Sequence, residues 1–316
     1  MSASRQGATL AIDLGGTRLK AGVVVGQTVV RQLVAPTGDE QGFDHVLRNL
    51  CAVGDELTRA TPVEAIGVGV PAIVDPETGR VVDVRKNLLG LIGFPLAETL
   101  RARYDVPVTV ENDARLYGLG EIVAGAAQGA KNAVCLTFGT GVGCCVLLDG
   151  RILRGRRGVG GILGGHITLQ ADGSLCTCGN YGCYEVLCRA SALVEHARLT
   201  VADPDGASDD QYPTAEAVLA AAAAGDRAAQ AALATYLRHL AAGVVSYVNL
   251  FDPDVVVLGG GLFNAAAQIL EPIVEEVQAR AWGMAGHEIS IRAAALGDQA
   301  ALIGGAALAS GYDAFW

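Results

Sequence analysis

The sequence lacks the features that would place it in a membrane or on nucleic acid. No uninterrupted apolar run approaches the roughly 18 residues that span a bilayer, although 51% of the 316 residues are hydrophobic. No run of Lys or Arg occurs; Arg154, Arg156 and Arg157 come nearest, and the formal net charge is −10. Nucleic-acid binders carry a basic stripe, so neither a membrane nor a nucleic-acid partner is expected. Met1 to Gly7 contain no apolar leader, so no secretory signal is expected and the expected location is cytoplasmic. Charged residues are only 18%, too few for long disordered tails. No low-complexity linker interrupts the chain, whose length suits two domains at roughly 100–200 residues each.

Two nucleotide-binding signatures are also missing. No G-x-x-x-x-G-K-[ST] run is present. The glycine turns lead into a second strand rather than a helix, unlike a dinucleotide fingerprint. An acidic chain can still bind phosphate, because such sites use backbone N–H groups and bound cations.

What is present begins with an antiparallel meander. Thr9–Asp13, Leu19–Val25 and Thr28–Val34 read as strands, with Gly26-Gln27 as a hairpin turn. Phe43, Val46, Leu47, Leu50 and Leu57 recur at helical spacing. Val63–Val70 reads as a buried strand, 95–104 as a helix, 106–110 as a strand and 113–127 as a helix. A second meander follows over 133–138, 142–148 and 151–153. Its turn, Thr137-Phe-Gly139-Thr140-Gly141, resembles Asp13-Leu-Gly15-Gly16-Thr17 of the first. The likeness suggests two copies of one strand–turn–strand unit facing each other. Residues 202–212 read as an acidic connection. A long helix ends near Asp252-Pro253, a strand over 255–258 runs into Gly259-Gly260-Gly261, and a strand (288–293) and a final helix from about Asp298 close the chain.

The first loop, Asp13-Leu14-Gly15-Gly16-Thr17-Arg18-Leu19-Lys20, has glycines that let backbone N–H groups approach a phosphate. Thr17 adds a hydroxyl, and Asp13 can hold Mg²⁺ through water. An ordinary tight hairpin would explain one such loop. A second, Gly139-Thr140-Gly141, suits a phosphate gripped from both sides. Glu111-Asn112-Asp113 lies between a strand and a helix. Asp113 there serves either as a helix N-cap or as the general base that takes a proton from an attacking hydroxyl, and both roles are compatible. Asn112 offers an amide to a substrate. Gly259, Gly260 and Gly261 either let a flat ring lie on the backbone or form a plain strand-to-helix turn.

Cysteine clustering is the strongest local signal. Of eight cysteines, a reducing compartment keeps all as thiols, and Cys51, Cys135, Cys144, Cys145 and Cys188 read as small apolar residues. Cys176, Cys178 and Cys183 share one loop with His166 upstream. Four N/S ligands at this spacing fit a closed, structural Zn²⁺ site. Such a metal would shape a glycine-rich loop and hold Glu185 ready to hydrogen-bond a sugar hydroxyl.

In order, these segments resemble the ROK family of repressors, open reading frames and kinases, from Ile12 to about Ala309. The matching pieces are Asp13-Leu-Gly-Gly-Thr17, Gly69-Val-Pro71, Glu111-Asn-Asp113, Phe138-Gly-Thr-Gly-Val-Gly143, Gly165-His166, the Cys176–Glu185 loop, Gly259-Gly-Gly261 and Ala301-Leu-Ile-Gly-Gly-Ala306. The resemblance implies an α/β, actin-like, ribonuclease-H-like ATPase fold: two domains with ATP and sugar in the cleft between them. Residues 1–113 would form the N-terminal α/β domain together with a C-terminal helix at about 298–316. Residues 114–297 would form a larger domain with the zinc loop. It further implies that Asp113 is the base, that Asn112, His166 and Glu185 touch the sugar, and that His166 also binds zinc. Asn87 is a further candidate on the sugar side and Lys20 on the phosphate side. ATP, Mg²⁺ and structural Zn²⁺ are the implied cofactors, and a homodimer or homotetramer the implied assembly.

Three positions depart from the family pattern. Relatives usually carry Glu-x-Gly-His, the Glu meeting the sugar near its 2-position; here the run is Leu163-Gly164-Gly165-His166. Val-Pro-Gly reads Val70-Pro71-Ala72, and the common Asn two residues after the base is Arg115. The expected activity is therefore ATP-dependent phosphorylation of a hexose hydroxyl, glucose first, with N-acetylmannosamine, N-acetylglucosamine, fructose or allose as alternatives. A non-catalytic sugar-binding relative is the competing class. A repressor is disfavoured, because the first strand begins near Thr9 and leaves no helix-turn-helix ahead of it.

Overall fold

The structure is a computed structural model that describes residues 7–84, 87–200, 211–265, 267–282 and 289–312. Most of the acidic connection, residue 288 of the expected last strand and the end of the last helix lie outside the described residues. The chain forms two compact units: Met1–Lys131 with Cys145–Ile162 and Ala295–Trp316, and Asn132–Cys144 with Leu163–Ala294.

The first unit is built on β1 (Ala8–Leu14), β2 (Arg18–Val25), β3 (Thr28–Pro36), β4 (Ala65–Val70) and β7 (Val108–Asn112), in the order β3-β2-β1-β4-β7. A hairpin of β5 (Ile73–Val74) and β6 (Val81–Asp83) stands apart from this sheet and was not visible in the sequence pattern. β1 runs antiparallel to β2 and parallel to β4, which is parallel to β7. Both faces of β1 are covered, which explains its continuous apolar run. Leu10, Ile12 and Leu14 face the core that contains Leu50 and Leu57 of α1 (Phe43–Thr58) and Leu100 of α2 (Leu96–Tyr104). Ala11 faces the other way, onto Leu302 and Ala306 of the final helix.

α3 spans Asp113–Ala124, three residues shorter than expected. It packs on the last helix, and this is why the first unit continues to Lys131 rather than ending at residue 113. The two helices approach closely because Gly120 lies on the backbone of Ala300 and Gly304 on that of Leu116. Glu121, fully buried, seals this packing. Its carboxylate accepts the N–H groups of Ala126 (2.8 Å), Ala295 (3.1 Å) and Leu296 (2.9 Å).

The second sheet has the order β10-β9-β8-β11-β12, with β8 (Ala133–Phe138), β9 (Val142–Leu148), β10 (Arg151–Ile152), β11 (Val255–Gly259) and β12 (Ser290–Ala293). β11 is parallel to both β8 and β12. In the second unit the chain then forms α4 (Tyr184–Cys188), α5 (Ala190–Thr200), α6 (Ala215–Ala223), α7 (Arg227–Phe251) and α8 (Ala267–Arg280); α9 (Ala300–Ala309) is the final helix of the first unit. α7 starts on Asp226, whose carboxylate caps the N–H of Ala229 at 3.0 Å. Asp252 ends it in a left-handed conformation just before Pro253. No helix among the described residues is long and apolar enough to cross a membrane.

Candidate active site

In the first unit the functional candidates collect at the carboxyl ends of the parallel strands, where open α/β sheets bind ligands. The register puts Asp13 beside Gly69 and Gly69 beside Glu111, so β4 alone separates Asp13 from the strand that delivers Asp113. The glycine loop after β1 is a tight turn closed by Gly15 N–H to Arg18 O (3.0 Å). It is pinned by buried Thr37, whose hydroxyl donates to Gly15 O at 2.6 Å. The N–H groups of Gly16 and Thr17 meet no acceptor among the described residues, and Thr17 is exposed. These free donors fit a phosphate oxygen. Asn87 lies beside them: a Cβ at residue 16 would collide with its amide nitrogen. Leu88, next in the chain, is held in the left-handed region (φ 62°), its N–H bonded to Asp39 at 3.0 Å. Lys20 pairs with the exposed Asp298 at 2.6 Å.

Asn112, not Asp113, is the N-cap of α3. Its Oδ1 accepts the Arg115 N–H at 3.1 Å and its Nδ2 donates to Ala72 O at 3.1 Å. The amide expected to face substrate is thus largely engaged within the protein, and Asp113 is released from the capping role. Asp113 Oδ1 accepts the N–H of Ala114 at 2.7 Å. Burial first, and the charge of Asp13 second, push its pKa up to about 7, against the pull of backbone hydrogen bonds. Burial also raises Asp13, with Lys20 pulling it down and Asp298 pushing it up. A carboxylate tuned near neutrality is matched to proton acceptance at physiological pH.

A buried ion cluster beside this junction was missed by sequence reasoning, although the unusual Arg115 marked the spot. Glu111 and Arg115 are each 1% exposed and pair at 2.6 Å, and Arg154 Nη2 pairs with the other oxygen of Glu111.

The second unit carries the remaining candidates. Sγ of Cys176 lies 3.6 Å from His166 Nδ1, and Sγ of Cys178 lies 3.6 Å from that of Cys183. The four ligand atoms all lie within 4.8 Å of one another. A tetrahedral Zn²⁺ with Zn–S of about 2.3 Å needs ligand–ligand edges of about 3.8 Å, so the donor set fits zinc. The loop that presents them is closed by Cys176 N–H to Asn180 O (2.7 Å) and Gly182 N–H to Ser174 O (2.9 Å).

Glu185, two residues after Cys183, is tied to the second glycine loop: its Oε2 accepts the Val142 N–H at 3.0 Å. The same loop is closed by Gly139 N–H to Gly141 O at 2.9 Å and held by Ala190 N–H to Gly139 O at 2.8 Å. Thr140 at its tip is exposed. Leu163 is 42% exposed. Gly260 has φ 97°, and a Cβ there would collide with the backbone of Phe138, so local packing alone demands this glycine. It separates buried Gly259 from exposed Gly261.

The sequence profile of the ROK family matches residues 9–311. The chain belongs to the ROK family. It is 31% identical over 307 residues to a glucokinase of Halalkalibacterium halodurans, covering 93% of this chain and 92% of that one. Among solved structures, a ROK family glucokinase from Streptomyces griseus in complex with glucose and AMPPNP matches with a TM-score of 0.81 and 31% identity, covering 96% of this chain and 99% of the other. A ROK hexokinase from Thermus thermophilus matches with a TM-score of 0.80 and 36% identity, over 96% and 97% of the two chains. The fold is the actin-like, ribonuclease-H-like ATPase fold that the motifs implied.

Proposed function

We propose that this ROK protein is an ATP-dependent hexose kinase that uses Asp113 as general base, with glucose as the first substrate to test. The observation that carries the reading is the Asp113 carboxyl, raised to about 7 at a strand-to-helix junction one strand away from Asp13. Relatives named glucokinase, spanning nearly the whole chain, support it.

Bound ATP would supply the phosphoryl group. The N–H groups of Gly16 and Thr17, which meet no acceptor among the described residues, and the Thr17 hydroxyl would hold its oxygens in the first unit, and Gly139, Thr140 and Gly141 would do so in the second. Asp13 would hold Mg²⁺ through water, and Lys20 would add positive charge. Gly259, Gly260 and Gly261 would accommodate the nucleotide ring. Asp113, once ionised, accepts the proton of the sugar hydroxyl as that oxygen attacks the γ-phosphorus and the bond to ADP breaks. Asn87, His166 and Glu185 would orient the sugar, and Asn112 would add the second hydrogen of its Nδ2, the first being donated to Ala72 O. His166, Cys176, Cys178 and Cys183 would hold a structural zinc that keeps Glu185 in place. The proposed setting is a cytoplasmic homo-oligomer.

A coupled spectrophotometric assay with ATP, Mg²⁺ and a panel of glucose, mannose, fructose, N-acetylmannosamine and N-acetylglucosamine tests this directly. Turnover of one hexose, abolished in Asp113→Ala, is the expected result. No turnover with any sugar, together with measurable sugar binding, would favour a non-catalytic sugar-binding protein. The apolar Leu163 is the observation on that side.

A further inference from the structure

Arg115 stands where relatives commonly carry Asn, and its surroundings explain why a longer cation fits. The guanidinium is buried among three acceptors. Nη1 donates to Glu111 Oε1 at 2.6 Å; Nη2 donates to Gly158 O and to Gly160 O, both at 2.9 Å. Glu111 Oε1 also accepts the backbone N–H of Asn112 at 2.8 Å, and Glu111 Oε2 pairs with Arg154. The ring closes through Gly160 N–H to Arg154 O at 2.8 Å. A four-residue turn, Gly155-Arg-Arg-Gly158, projects from this ring, with Gly158 N–H on Gly155 O at 3.4 Å. Arg156 and Arg157 at its tip are exposed.

Burying an ion pair gains little stability over an apolar pair of the same shape, so such a pair is better explained by the geometry it imposes. A planar guanidinium aims separate N–H groups at one carboxylate and two carbonyls in a fixed geometry. Lysine has a single donor centre, and asparagine is too short to reach the turn. We propose that Arg115 is a positioning residue. Its guanidinium fastens the turn of residues 155–160 to the Glu111–Asp113 junction and thereby sets the sugar side of the reaction, leaving the nucleotide side alone. The reaction part rests on the kinase reading above; the fastening itself does not.

The test uses Arg115→Met and Arg115→Lys in the full-length protein, with circular dichroism and zinc content as controls for folding. Limited trypsin digestion reads the fastening, since Arg156 and Arg157 are exposed but need an opened turn to enter a protease. Cleavage after these residues should be slow in the wild type, at least about tenfold faster in Arg115→Met, and intermediate in Arg115→Lys. In steady-state kinetics KM for the sugar should rise about tenfold while KM for ATP stays within about twofold. Equal cleavage rates in wild type and a folded Arg115→Met would overturn the proposal, as would equal increases in the two KM values. If Arg115→Met does not fold, Arg115→Lys decides: wild-type behaviour in both readouts refutes the fastening. If the wild type phosphorylates no hexose, the kinase reading has failed, and the cleavage rates alone decide whether Arg115 holds the turn.

Discussion

Replacing Asp113 with Asn separates chemistry from stability, because the structure predicts opposite signs for the two. The native carboxyl has its pKa pushed up to about 7 by burial and by Asp13, against about 3.9 in an unfolded chain. Between those pH values the folded state holds a proton that the unfolded state has released. Stability therefore falls as pH rises from about 4 to about 7, and the cost is fully present above that. Three pKa units correspond to at most about 4 kcal/mol. Asp113 is only partly buried, so screening reduces the expected cost to about 1–2 kcal/mol. Asn keeps the oxygen that accepts the Ala114 N–H, bonded at 2.7 Å, but cannot ionise. Urea denaturation without nucleotide or added Mg²⁺ should find Asp113→Asn more stable than wild type at pH 8 by about 1–2 kcal/mol and equal to it near pH 4. Turnover should drop by several orders of magnitude. Wild-type kcat/KM should rise about tenfold per pH unit below pH 7 and level off above it. A variant less stable than wild type at pH 8, or one retaining turnover, would refute the reasoning.

Other outcomes follow from individual contacts. Protein purified without chelator should contain one zinc per chain by mass spectrometry. Stripping it should lower Tm and raise KM for both the sugar and ATP, because Glu185, the proposed sugar contact, would also loosen its hold on the Val142 N–H; zinc-free protein with unchanged KM values would count against that link. Glu121→Ala removes the carboxylate that accepts three backbone N–H groups at the α3–α9 contact. It should cost at least about 3 kcal/mol, read as a lower midpoint in thermal denaturation with little change in KM of the surviving folded fraction. Leu163→Glu restores the family's carboxylate and should raise kcat/KM for glucose about tenfold or more, the worth of one charged hydrogen bond of roughly 1.5–3 kcal/mol. A wild type that already strongly prefers glucose to 2-deoxyglucose would show that another residue reads that hydroxyl.

The order of strands and helices was legible in the residues, because periodicity and turn chemistry are local. Gly26-Gln27 closes its hairpin, and β8, β9 and the start of β11 fall where apolar runs placed them. The cluster of His166, Cys176, Cys178 and Cys183 was equally legible, since three of them share one short loop and need little tertiary help to converge. Side-chain partnership across long separations was not. For Asp113 the sequence left both a helix cap and a general base open, until the backbone showed Asn112 in the capping place. Two of the N–H groups that Glu121 accepts, those of residues 295 and 296, lie 174 and 175 residues along the chain. Arg115 was visible only as a departure from a pattern; its Glu111 partner is four residues back, on the preceding strand, but the carbonyls it holds are 43 and 45 residues along the chain. Local propensity determines where elements begin and end. A buried charge finds its partners only when the core closes around it, and that closure is what moved the Asp113 carboxyl toward neutrality.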